Sequence, residues 1–112
     1  MKTNQSNIDN YLQTACQTAR EAGAIIIERS KSFSISHKSS SRDLVTQADY
    51  ESERFIIENI KKAYPDHGIL SEEAADKDTA LEGHTWIIDP LDGTNNFAHG
   101  IPQFCVSIAY TY

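Results

Sequence analysis

WIIDPLDGTNNF, residues 86–97, decides how the rest of the chain is read. An apolar run ends in two acids, Asp89 and Asp92, flanking Pro90 and Leu91, and is followed at once by Gly93 and Thr94. A core strand that ended in an ordinary turn would not need two carboxylates so close to its buried part. Mg2+ takes one or two carboxylates together with water and substrate phosphate. Asp89 and Asp92 at one strand end could face one cavity, with the Leu91 carbonyl aimed into it. A bridging Asp89 would let two metals sit about 4 Å apart. Gly93 and Thr94 would then offer backbone N–H groups at a helix start, where phosphate binds readily.

On spacing alone each residue also has a plainer use. Asp89 and Asp92 serve equally well as turn formers, and Glu72 and Glu73 as a solvated pair at a loop start. Asp49 fits a helix cap, and Thr94 fits an N-cap. The four histidines, at 37, 67, 84 and 99, lack metal-ligand spacing and are read as surface or internally satisfied residues.

The composition narrows the classes. At 112 residues the chain is one domain at most, and 39 % hydrophobic with 23 % charged residues describes a soluble globular protein. A net charge of -6 argues against direct nucleic-acid binding as the main role. The two cysteines, Cys16 and Cys105, are too few for a disulfide framework and are read as buried free thiols in a reducing compartment. With no signal peptide at the start and no apolar run able to span a membrane, the expected location is cytoplasmic.

Outward from the motif, residues 7–30 carry Ile8, Tyr11, Leu12, Ala15, Ala19, Ala22 and Ile26 at helical spacing, with Ser6 and Asp9 as a capping start. Small residues around Gly23 would permit another element to approach. FSISHK, 33–38, alternates as a short strand. A second helix is predicted over 45–64, with Ala48, Phe55, Ile56, Ile60 and Ala63 on one face. Thr46 and Asp49 form its capping box, and Pro65 marks its end. HGILSEE, 67–73, reads as a brief strand ending in acids, 74–84 as a surface loop, 86–88 as a buried strand, and 93–100 as a short helix. Phe104, Val106, Ile108, Tyr110 and Tyr112 alternate with smaller residues as the cleanest strand. The sequence stops within that strand, and the chain is expected to be a fragment.

DLVTQAD (43–49), SEE (71–73) and WIIDPLDGTNNF resemble, in order and spacing, the inositol monophosphatase family, whose wider group includes fructose-1,6-bisphosphatases and nucleotide 3'-phosphatases. The resemblance implies an α+β fold, a layered α/β sandwich in which this chain is the N-terminal metal-binding half. Two long helices would pack on a mostly antiparallel sheet. It also implies lithium-sensitive hydrolysis of a small phosphate monoester, with inositol 1-phosphate leading and nucleotide 3'-phosphate or fructose bisphosphate as alternatives. Two or three Mg2+ ions would serve the complete enzyme. Glu72, Asp89, the Leu91 carbonyl and Asp92 would hold metal, and Asp92, Gly93 and Thr94 would hold substrate. Glu72, Asp49 and Thr94 would activate the water, and Lys38 would lie on a loop over the site.

Two departures stand out. Ser71 occupies a position where the family commonly has Gly, and a later Trp-Asp motif with a further metal ligand is missing. The isolated chain is therefore expected to be inactive. The complete protein would be a homodimer with no membrane partner, and some bacterial relatives also act in transcription complexes. The Asp-Gly-Thr ending also invites comparison with haloacid dehalogenase phosphatases. Their nucleophilic Asp would fall at Pro90, so that reading fails.

Overall fold

The computed structural model describes residues 5–33, 41–71 and 83–112. Six elements follow in order: α1 (Gln5–Phe33), α2 (Ser41–Ala63), β1 (Gly68–Ser71), β2 (Thr85–Asp92), α3 (Thr94–Ala98) and β3 (Cys105–Thr111). Mixed helix and strand, with two long helices beside a three-stranded sheet, is the α+β class expected.

Each long helix buries one stripe. On α1 it runs through Tyr11, Ala15, Thr18, Ala22 and Ile26, and on α2 through Leu44, Ala48, Ser52, Ile56 and Ile60. Steps of three and four residues keep such positions on one face. Small members of both stripes let the helices come close. Asn59 Nδ2 donates to Thr18 Oγ1 at 2.7 Å, and the Arg29 guanidinium grips Glu51 with two bonds of 2.6 Å.

The sheet order is β1-β2-β3, with β1 parallel and β3 antiparallel to the central strand. Antiparallel strands can be joined by a tight connection, whereas a parallel neighbour needs a longer crossover. Trp86 is fully buried and Ile88 nearly so, in one cluster with Tyr11, Ile56, Ile60 and Ile69. A second cluster joins Ile26, Leu44, Ala48, Leu91 and Phe97. Burying each large apolar side chain stabilises the fold by about 1.5–3 kcal/mol. The opposite sheet face is open: Ile87 is 41 % exposed, and Cys105, Ser107 and Ala109 are exposed.

Several expectations are corrected. α1 runs on to Phe33, so the predicted strand at 33–38 loses its first residue to the helix, and 34–38 lie outside the described residues. Since α1 begins at Gln5, Ser6 is inside it, and Asp9 instead accepts the Gln5 side-chain amide. α2 begins at Ser41, which puts Thr46 and Asp49 within the helix rather than at its cap. Ile8 and Leu12 are exposed, and Ala63 is exposed at the end of α2. A Cβ at Gly23 would meet nothing within 4 Å, so no element closes on it. Both cysteines are exposed. Cys16 is one residue past buried Ala15, hence rotated off the stripe, and Cys105 lies on the open face of β3. The predicted loop at 74–84 falls mostly outside the described residues.

Candidate active site

The site begins with a fault in strand pairing. Asp89 pairs with Ser107 and Asp92 with Cys105, so three steps on β2 match two on β3. One extra residue on one strand is a β-bulge. Proline cannot donate to a ladder, and Pro90 sits where the ladder is interrupted. The consequence is geometric. In a regular strand, residues three apart point to opposite faces. Here Pro90 and Leu91 are both buried in succession, Asp92 is exposed, and Asp89 is partly exposed. The bulge therefore returns both acids to the open side of the sheet, while Leu91 packs beneath them against Ala48 and Phe97. Asp89 Oδ1 accepts the Leu91 N–H at 3.3 Å, holding its own turn.

Gly93 makes the exit. Its φ of +90° is left-handed, and a Cβ there would approach the Gln103 carbonyl oxygen to 2.8 Å. Glycine alone satisfies both conditions cheaply. It also forms the N-cap of α3, so Thr94 is the first helical residue and not the cap. The helix has only five residues. Phe97 anchors it in the core, edge-on to Phe104 with ring centroids 5.3 Å apart.

Asp49, Ser71, Asp89, Pro90, Leu91, Asp92, Gly93 and Thr94 line one polar cavity of about 300 Å³. Two strand ends, helix α2 and the start of α3 meet there. Of the residues named from sequence, Asp49, Asp89, Leu91, Asp92, Gly93 and Thr94 are thus brought together. Glu72 and Lys38 lie outside the described residues, although Ser71, immediately before Glu72, lines the cavity. Ser71 is nearly fully buried, and its hydroxyl donates to Glu53 Oε2 at 3.0 Å. Its φ is not positive, so this position does not require glycine.

The donors offered by Asp89, Asp92 and the Leu91 carbonyl are oxygen atoms only, the chemistry that suits a hard divalent cation. Among the described residues no three carboxylate, histidine or cysteine side chains are gathered tightly enough to hold an ion by themselves. A larger hollow of about 440 Å³, lined by Leu70, Ile87, Ile88, Ser107 and Ala109, adjoins the cavity and shares Ser71 and Asp89 with it. Among the described residues, His67, His84 and His99 do not line the cavity. His67 is buried among Tyr64, His84 and Trp86, and His99 bonds the Asn95 carbonyl. Ser52 was not singled out by sequence reasoning, yet it is fully buried and bonds the bulge itself, at the Pro90 carbonyl. Its place at the four-residue spacing of Ala48, Ser52 and Ile56 was the available signal.

An α+β scaffold thus sets acids, a glycine turn and a short helix around one polar cavity. A sequence model of the inositol monophosphatase family matches residues 7–112, and the chain belongs to that family. The inositol-1-monophosphatase of Bacillus subtilis is 46 % identical over 108 residues, covering 95 % of this chain and 40 % of that protein. The Nus factor SuhB of Pseudomonas aeruginosa is 44 % identical, covering 90 % of this chain and 39 % of its own length. Among solved structures, inositol monophosphatase II from Staphylococcus aureus superposes with a TM-score of 0.79 at 33 % identity, over 91 % of this chain and 38 % of that one. The chain thus spans about two fifths of the length of such relatives. No helix among the described residues is long and apolar enough to cross a membrane.

Proposed function

We propose that this chain is the N-terminal, metal-holding part of a cytoplasmic phosphatase that hydrolyses a small phosphate monoester, with inositol 1-phosphate as the leading substrate. One observation carries the reading: Asp49, Asp89, Asp92, Gly93 and Thr94 line a single polar cavity. Asp89, Asp92 and the Leu91 carbonyl, with Glu72, would hold Mg2+. When bound, that ion would neutralise phosphate charge and acidify water. Asp92 would also touch the substrate. The Gly93 and Thr94 backbone amides would hold the phosphate oxygens. Glu72 and the Thr94 hydroxyl would orient the attacking water, with Asp49 paired to Thr94 and taking the proton. Lys38 would cover the site from its loop.

The chain alone is inactive on this reading, because about three fifths of the Bacillus subtilis relative's length lies outside the matched part. The apolar hollow beside the site, open to solvent in this chain, supports a larger domain closing over it. Lithium inhibition and dimerisation belong to that complete protein. The test is a chimera in which this chain replaces the matching part of the Bacillus subtilis relative. Mg2+-dependent phosphate release from inositol 1-phosphate, lost with Asp89→Asn, is expected. Release unaffected by Asp89→Asn contradicts the assignment, and preference for a nucleotide 3'-phosphate or fructose bisphosphate would redirect the substrate. A second reading, an interaction role in a transcription complex, is supported by the Nus factor name of a relative at 44 % identity. It predicts that Asp89→Asn leaves the biological effect intact.

A further inference from the structure

Ser52 is a fully buried polar side chain in a stripe otherwise made of Leu44, Ala48, Ile56 and Ile60. A buried hydroxyl is costly unless it is bonded, and this one donates to the Pro90 carbonyl at 2.8 Å. That carbonyl lies between Asp89 and Leu91, inside the bulge. A bulge disrupts the regular ladder, and a buried backbone carbonyl needs a donor from somewhere. One residue along the helix, Glu53 accepts the hydroxyl of Ser71, the last residue of β1, at 3.0 Å. Three residues before Ser52, Asp49 lines the cavity itself. Positions 49, 52 and 53 share one face of α2 by the three-and-four spacing of a helix. A single helical turn thus reaches the cavity wall, the β2 bulge and the end of β1.

We propose that Ser52 and Glu53 are positioning residues that brace the β2 bulge and the end of β1 against α2. The inference rests on the reading that Asp89 and Asp92 hold a divalent cation. Ser52 would hold the Pro90 peptide, and so fix how Asp89 and Asp92 stand relative to each other. Glu53 would hold Ser71, and so fix the end of β1 at the cavity wall. Ligand geometry must be kept to within about half an ångström for such a site to work, and groups that orient ligands are worth about ten- to a hundredfold in metal affinity.

The test is calorimetric titration of the chain with Mn2+ alone, far below its unfolding temperature. Ser52→Ala is expected to weaken Mn2+ binding about tenfold. Ile60→Val, which thins the same buried stripe without touching the bulge, is expected to bind as wild type does. Should Ser52→Ala fail to fold, Ser71→Ala carries the test from the other brace, with weakened binding again expected. Wild-type affinity in the variant that folds, or equal weakening in Ile60→Val, overturns the inference. Asp92→Asn separates the layers. If it loses Mn2+ while Ser52→Ala does not, the bracing role alone is wrong. If wild type takes up no Mn2+, or Asp92→Asn binds normally, the metal reading beneath it fails too.

Discussion

The indole N–H of Trp86 donates to Nδ1 of His67 at 3.0 Å, with both residues buried. The bond joins the core of β2 to the turn between α2 and β1. It also sets the protonation state, because Nδ1 must keep its lone pair to accept. His84 stacks on the same ring at 4.2 Å between centroids, with Tyr64 on the ring as well. Burial lowers the His67 pKa below its usual 6.5, the charges of His84 and Lys61 push the same way, and Asp66 opposes them.

The sign of the pH effect follows. The folded state resists protonating His67 and the unfolded chain does not, so the unfolded chain binds more protons between the two pKa values. The His67 contribution is complete above pH 6.5 and is lost as pH falls through the lowered folded value. Urea midpoints followed by Trp86 fluorescence should therefore fall from about pH 7 to about pH 5, and His67→Asn should flatten that slope. Trp86 is the single tryptophan, so the signal reports this contact directly.

Two glycines should respond in opposite directions. Gly93→Ala places a side chain at φ +90° and against the Gln103 carbonyl, and should cost about 2 kcal/mol or more. Gly23→Ala lies in a helix with open space around its new methyl, and should add about 0.5–1 kcal/mol. Thermal unfolding of the two variants against wild type checks both.

Phe97 ties the short α3 to the core through Leu91, Ala48 and Phe104. Phe97→Ala should cost about 3–5 kcal/mol, a large part of a domain stability of about 5–15 kcal/mol. Denaturant titration measures the loss. Loosened α3 amides should also show faster hydrogen exchange than those of α1.

Cys16 and Cys105 are both exposed. Both thiols of the folded chain should react with Ellman's reagent as fast as they do in urea, whereas buried thiols would react only on unfolding.

The gathering of the candidate residues was legible where chemistry and backbone demand coincide. Two acids around Pro90-Leu91, followed by Gly93, narrow the uses of that segment to very few, and the structure puts Asp49 and Thr94 beside them. The bulge that turns Asp89 and Asp92 to one face was not legible, because strand register depends on the partner strand. Ser52 escaped because a serine on an apolar stripe reads as an interruption, and only its carbonyl partner 38 residues away explains it. The helix boundaries moved for a related reason. Ser6, Thr46 and Asp49 are good cap residues by type, yet each helix begins before them and is held by packing rather than by a local stop signal. The cysteines were misjudged by their neighbours' polarity, when rotation by one residue from Ala15 and Phe104 already turned them away from the core.

The most direct test of the central claim is an anomalous difference map from crystals of the chain soaked in Mn2+. The account predicts a peak held by the carboxylates of Asp89 and Asp92 in the cavity at the bulge. Full Mn2+ occupancy elsewhere on the chain, with no peak at those two carboxylates, would contradict it.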